Sequence, residues 1–279
     1  MKLGLALAGG GVKGAAHIGA IKALEENGIK IEAVAGTSIG SIVSSLYAMG
    51  YTTEKMLEIF KYFSKGIMKA DARHFAGNLK TTRRLLGDGL LSGENIEIAI
   101  TECAKEKGIK NIKDINMPIA IPTVDIVECK KYVFTNADLE GDYYINNALI
   151  GKATRASSSY PGVFAPCIYK GHKFVDGGIL DNVPADEVKK LGVDKVLTLK
   201  FATALNYDPK NIYEIAFKSI DLLFEARSQE AIHASDLVVD LDVSEASVFD
   251  VKKIDYCYNA GYVTMLTKIN EVKKMLNEE

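Results

Sequence analysis

Four absences narrow the reading of this 279-residue chain before any motif is considered. There is no Cys-x-x-C pair: Cys103, Cys129, Cys167 and Cys257 lie far apart, which fits reduced thiols packed as small apolar residues better than a zinc site or a disulfide framework. There is no surplus of charge, since 34 Lys and Arg stand against 36 Asp and Glu, so the net charge of -2 draws the protein to no nucleic acid. There is no run near the ~18 apolar residues of a membrane span, so any membrane contact would be peripheral. There is also no internal repeat, low-complexity tract or Pro/Ser-rich linker. Residues 1–279 therefore read as one α/β domain with enough chain to bury a sizeable core.

The first residues look briefly like a leader, because Lys2 precedes the apolar Leu3 to Ala8. That stretch is shorter than the ~7–15 residues of a signal-peptide core, and it runs straight into glycines. It reads as a first strand, in a protein expected in the cytoplasm or at the inner face of the membrane.

Apolar runs and glycine stops set out the rest. The pattern predicts a strand at 2–8, a helix from Gly14 to Asn27 closed by Gly28, a strand from Ile31 to Ala35, and a helix ending near Gly50. This order implies a parallel sheet with right-handed crossovers. Residues 53–69 place Met56, Ile59, Phe60, Phe63 and Ile67 at helical spacing, and 70–93 form a glycine-rich excursion. Together they are expected to line or cover a binding site. Further strands are expected at Ile119 to Val124, Lys131 to Thr135, Lys173 to Val175, Lys195 to Phe201 and Leu237 to Leu241. Helices are expected at Ile98 to Lys107 and near 184–191, 210–234 and 256–277.

Two glycine motifs carry the chemistry. Gly9, Gly11 and Gly14 spell G-x-G-x-x-G between the first strand and the first helix, where backbone N–H groups converge and attract negative charge. The charge could be a pyrophosphate, an NTP phosphate or a reaction oxyanion. A dinucleotide site wants an acid at the end of the second strand, and this strand ends in Gly36-Thr37-Ser38. A Walker loop wants Lys then Ser or Thr after its last glycine, whereas Lys13 precedes Gly14 and Ala15 follows it. The second strand runs instead into G-x-S-x-G, Gly36-Thr37-Ser38-Ile39-Gly40, in the strand-turn-helix setting of a nucleophile elbow. The glycine loop then supplies oxyanion donors around Gly10 and Gly11, with the N–H of Ile39 as a further one.

A serine nucleophile needs a base, and none of the four histidines keeps the right company. His17 lies in an Ala-rich helix start, His74 in the glycine-rich excursion, His172 in a Gly-His turn and His233 near a helix end. Asp176 is a better candidate, at the end of an apolar strand and followed by Gly177 and Gly178, which permit close backbone approach. Apolar surroundings would raise its pKa into a useful range.

Taken in order, Gly9 to Gly14, Gly36 to Gly40 and Asp176-Gly177-Gly178 resemble the patatin-like phospholipase family, as do the Ala156 to Pro166 segment and Asn182-Val183-Pro184. The likeness runs from residue 3 to about 200, and the chain looks like the compact bacterial members of the family. It implies a three-layer α/β/α fold with a mainly parallel sheet, and a Ser38–Asp176 dyad. The loop Gly9, Gly10, Gly11 and Gly14, with Ile39, would form the oxyanion hole. It further implies no metal or other cofactor, and a lipid or acyl-ester substrate. Lys13 stands where the family has Lys or Arg, either to meet an anionic head group or to support the loop. The rival readings are an esterase or thioesterase acting on soluble acyl compounds, and a non-catalytic phosphate-binding module.

Overall fold

The computed structural model describes residues 1–64, 91–202, 208–210, 212–247 and 250–277. The expected excursion at 70–93 therefore falls almost wholly outside the described residues, as do Ile67 and His74.

The centre of the molecule is β1 (Leu3–Leu7), buried throughout, with β2 (Ile31–Gly36) on one side and β8 (Lys195–Phe201) on the other, both parallel to it. The sheet continues through β9 (Leu237–Leu241) beyond β8, and beyond β2 through β3 (Ile119–Asp125), β4 (Lys130–Thr135) and β5 (Tyr144–Ile145). Strands covered on both faces read as apolar runs, unbroken in β1 and interrupted by Glu32 in β2, by Lys195, Thr198 and Lys200 in β8 and by Asp240 in β9, which is why these four were legible. Two expected strands differ in direction: β4 and β7 (His172–Asp176) both run antiparallel to β3, and β6 (Cys167–Tyr169) forms a hairpin with β7.

Helices cover both faces. On one lie α1 (Ala15–Glu26), α2 (Ile39–Ala48), α3 (53–64), α4 (Glu94–Glu106), α5 (Ile150–Ser157) and α9 (Ile254–Asn277), around Leu3, Leu5, Leu7, Ile18, Leu46 and Met265. On the other, α7 (Ala185–Lys190) packs Ala185 and Val188 against Ala6, Ala35 and Val196. The short α6 (Gly178–Asp181) and the long α8 (Ile212–Ala231) pack together. Met56 and Phe60 of α3 are buried in the main core, so these two side chains serve packing. Of the cysteines, Cys103, Cys167 and Cys257 are buried and free, and Cys129 is exposed.

One pairing sets the position of the site. β2 meets β3 at Val34↔Ile119 and Ala35↔Ala120, whereas β7 meets β3 at Thr123↔Asp176. Thus β2 and β7 abut end to end along the same edge of β3, from opposite directions. Three residue steps along β3, about 10 Å, separate the two registers. The turn after β2 and the end of β7 meet in that gap.

Candidate active site

Ser38 occupies the gap. Its backbone is at φ 54 and ψ -122, a conformation that L-residues rarely adopt and that costs about 1–3 kcal/mol when imposed. The flanking glycines make the turn possible. A Cβ on Gly36 would overlap the Gly40 carbonyl, and one on Gly40 would overlap the Leu7 carbonyl, so the elbow is wedged against the end of β1. Thr37 is buried between them, its hydroxyl donating to the Asp181 carbonyl at 2.7 Å.

The strained serine is clamped from α5. The Ser38 N–H donates to Ser157 Oγ at 3.0 Å, and Ser158 Oγ–H donates to the Ser38 carbonyl at 3.1 Å. The same segment holds the strand end opposite. The Asp176 N–H donates to the Ser159 carbonyl at 3.0 Å and the Gly177 N–H to the Ser157 carbonyl at 3.3 Å. Three consecutive serines therefore tie both halves of the gap together. Sequence reasoning quoted this segment without giving it a task, and the serine run at the end of a short helix was the available signal.

Asp176 is fully buried. Its Oδ1 accepts the Gly178 N–H at 2.9 Å, and its Oδ2 has no hydrogen-bond partner among the described residues. Burial pushes the carboxyl up to about 7, partly offset by the neighbouring Ser38 hydroxyl and the Gly178 N–H. The hydroxyl thus stands near enough to act on the carboxylate, without the alignment of a formed hydrogen bond. Gly177 and Gly178 are required by close approach: a Cβ on Gly177 would overlap the Pro122 carbonyl, and one on Gly178 would lie 2.6 Å from the Phe224 ring.

The glycine loop lies directly against the elbow. A Cβ on Gly9 would sit 3.1 Å from Ser38 Cβ and 2.5 Å from Asn182 Oδ1, and one on Gly14 would overlap the Ile39 side chain. Gly10 packs its open side on Phe201, and Gly11 is at φ 60, a left-handed position suited to glycine. The loop's N–H groups are not equivalent. Gly9 donates to the Asn182 carbonyl at 3.3 Å and is occupied, whereas no acceptor takes the N–H of Gly10, Gly11 or Ile39 among the described residues. Ile39 is the first residue of α2, where an N–H has no partner within the helix.

The surroundings are polar at one edge. Burial holds the half-buried Lys13 ammonium below its usual pKa, against the field of Asp221, whose carboxylate accepts from Tyr160 OH at 3.0 Å. Asn182, nine-tenths buried, donates to Ser228 Oγ at 3.1 Å. The described histidines lie elsewhere. His17 is fully buried, bonded through Nε2 to the Ala8 carbonyl and pushed down to about 4 by burial. His172 is on β7 rather than in a turn, with Nδ1 2.7 Å from Asp125 Oδ2. His233 sits in a single helical turn after α8.

Residues 5–189 match the family model described as patatin-like phospholipase. The chain is 30% identical to a lysophospholipase NTE1 of Meyerozyma guilliermondii over 215 residues, 75% of this chain and 13% of that protein. It is 29% identical to a lysophospholipase NTE1 of Mycosarcoma maydis over 216 residues, 75% of this chain and 10% of that protein. The chain therefore matches only a small part of these much longer relatives. Among solved structures it resembles VipD from Legionella pneumophila (TM-score 0.53, 14% identity, covering 97% of this chain and 67% of that one). It also resembles human GIVD cytosolic phospholipase A2 (TM-score 0.51, 10% identity, covering 99% and 58%). These two likenesses concern the fold.

Proposed function

The chain belongs to the patatin-like phospholipase family, and from that membership and the geometry of the elbow we propose that it hydrolyses acyl esters of lipids through a Ser38–Asp176 dyad. The observation that carries the reading is a fully buried carboxylate oxygen, Asp176 Oδ2, left without a hydrogen bond beside a serine held in a strained turn. A group kept dry and unpaired in this way is a base poised to take a proton.

Ser38 Oγ attacks the ester carbonyl as Asp176 removes its proton, forming a tetrahedral oxyanion. The N–H groups of Gly10, Gly11 and Ile39 receive that charge, while Gly9 and Gly14 hold the loop against the elbow. Collapse expels the alcohol, which takes the proton from Asp176, and leaves Ser38 acylated. Water, deprotonated by Asp176, then attacks the acyl-enzyme, and Ser38 Oγ recovers that proton from Asp176 as it leaves, releasing the fatty acid. Lys13 adds positive charge at the loop, where an anionic head group would be favoured.

The direct test is labelling with a fluorophosphonate, mapping of the adduct, and turnover of an ester and phospholipid series of rising chain length. The adduct is expected on Ser38, with turnover improving on long acyl chains. Preference for short, soluble acyl esters would instead support the esterase alternative, and an adduct on another serine would defeat the elbow assignment.

A pH profile follows from the raised carboxyl. Asp176 is a base only when ionised, so kcat/KM on a soluble ester should fall about tenfold per pH unit below about 7. A limb near 4 would mean that burial does not tune this residue. The serine clamp gives a second expectation. Ser157→Ala releases the Ser38 N–H, and kcat should drop about 10- to 100-fold with KM little changed; Ser158→Ala should cost less, because the Ser38 carbonyl still accepts from the Ser41 N–H and hydroxyl. Steady-state kinetics on variants of native circular dichroism decide this, and an unchanged kcat would show that the glycines alone hold the turn.

A further inference from the structure

Helix α8 is amphipathic in the reverse sense. Its inner side packs onto the site, with Phe224 against Gly178, Ser228 bonded to Asn182, and Asp221 bonded to Tyr160. Its outer side should be polar, yet Ile212, Ile215, Leu222 and Leu223 are 75%, 52%, 49% and 62% exposed. At 100° per residue these four side chains fall within an arc of about 100°. Ala216, Ser219 and Ala226 complete the stripe, and no ionisable residue enters it between Ile212 and Ala226. Scattered exposed apolar residues are ordinary, but a continuous helical stripe marks a contact surface.

The stripe stands beside the mouth of the site. β8 runs parallel to β1, so both end on the side of the glycine loop, and α8 descends from that side toward β9. Asp221 is level with the site. Ile212 lies nine residues earlier and thus about 13 Å further out along the helix.

We propose that the outer face of α8 is a lipid-contact surface, seating the protein on an aggregated zwitterionic phospholipid with the site opening at its edge. This rests on the lipid acyl hydrolase reading above. The stripe is about 22 Å long and one helix wide, on the order of 200–250 Å², far below the ~800 Å² per partner of a stable protein interface. It suits insertion into a fluid apolar phase better than pairing with a second copy. A net charge of -2 gives no general attraction to anionic lipid, so apolar insertion into a neutral surface is the driving contribution.

The test uses the full chain carrying Ser38→Ala, so that lipid is not consumed, and co-sedimentation with phosphatidylcholine vesicles. Ile215→Glu/Leu223→Glu should lower the partition coefficient about tenfold or more, whereas Val263→Glu, at an exposed position on α9, should not. With Ser38 restored, the same pair should lower the ratio of turnover on micelles to turnover on monomeric ester. Circular dichroism checks the fold, and Leu222→Lys repeats the test if the double variant is damaged. Unchanged partition overturns the proposal. So does a parent protein that elutes as a dimer and becomes a monomer on substitution, because the stripe is then covered by a second copy. If the unsubstituted protein turns over neither ester form, the hydrolase reading fails, and the vesicle partition alone decides the surface.

Discussion

Asp176→Asn should reduce ester turnover by about 10³-fold or more while making the protein harder to unfold at pH 8. The loss follows from the role of the carboxylate, since the amide keeps the shape and can still accept the Gly178 N–H, but cannot take the serine proton. The gain follows from linkage. The folded carboxyl titrates at about 7 against an ordinary 3.8, so the folded state binds this proton more tightly than the unfolded state does. That contribution is fully present below about 4 and is lost as pH rises through 7. At pH 8 the wild type carries a buried charge whose cost is on the order of 4 kcal/mol, and the amide is free of it. Urea unfolding between pH 4 and 8, beside steady-state kinetics, reads both effects. The stability difference should vanish toward pH 4. A variant that still turns over substrate, or one less stable than wild type at pH 8, would contradict this account of the site. His172→Gln and His233→Gln should retain substantial turnover, because neither ring is bonded to Ser38 or Asp176.

Gly261→Ala should destabilise the fold by about 3 kcal/mol or more, lowering Tm by roughly 6–12 °C. α1 and α9 touch backbone to backbone: a Cβ on Gly261 would overlap the Ala16 carbonyl, and one on Gly19 would overlap the Tyr258 carbonyl. Backbone cannot rotate away as a side chain can, so the helices must separate. α1 continues directly from the glycine loop, so its displacement should also slow fluorophosphonate labelling of Ser38. Thermal unfolding and labelling rates decide the matter. An alanine tolerated within about 0.5 kcal/mol would mean that this helix pair is looser than its spacing implies.

The elbow and the loop were legible because each is local: strand, glycines and helix follow one another within a few residues, and β1 and β2 are apolar runs ended by glycine. What stayed hidden depends on partners distant in the chain. Nothing near Lys131 or Lys173 states that those strands run antiparallel to β3, and β5 and β6 are too short to show a period. Ser157 and Ser158 reach Ser38 across about 120 residues of sequence, so their hydrogen bonds leave no local trace. Periodicity identified α8 correctly but could not reveal that part of its apolar surface faces outward. The family match ends at residue 189, yet β8 and β9 beyond it continue the same sheet, and α9 closes over α1.

The central place of β1 bears on when the elbow can assemble during synthesis. β1 pairs with a strand that follows it much later in the chain, Leu3 against Lys195, so both the loop and the nucleophile leave the ribosome long before that support exists. Until β8 arrives, β1 has an open edge and the turn at Ser38 lacks the framework that enforces its strain. Such long-range pairing is slow to form and rewards the chain only on closure. The strained turn at Ser38 is therefore expected to be enforced only once strand 195–201 has entered beside β1.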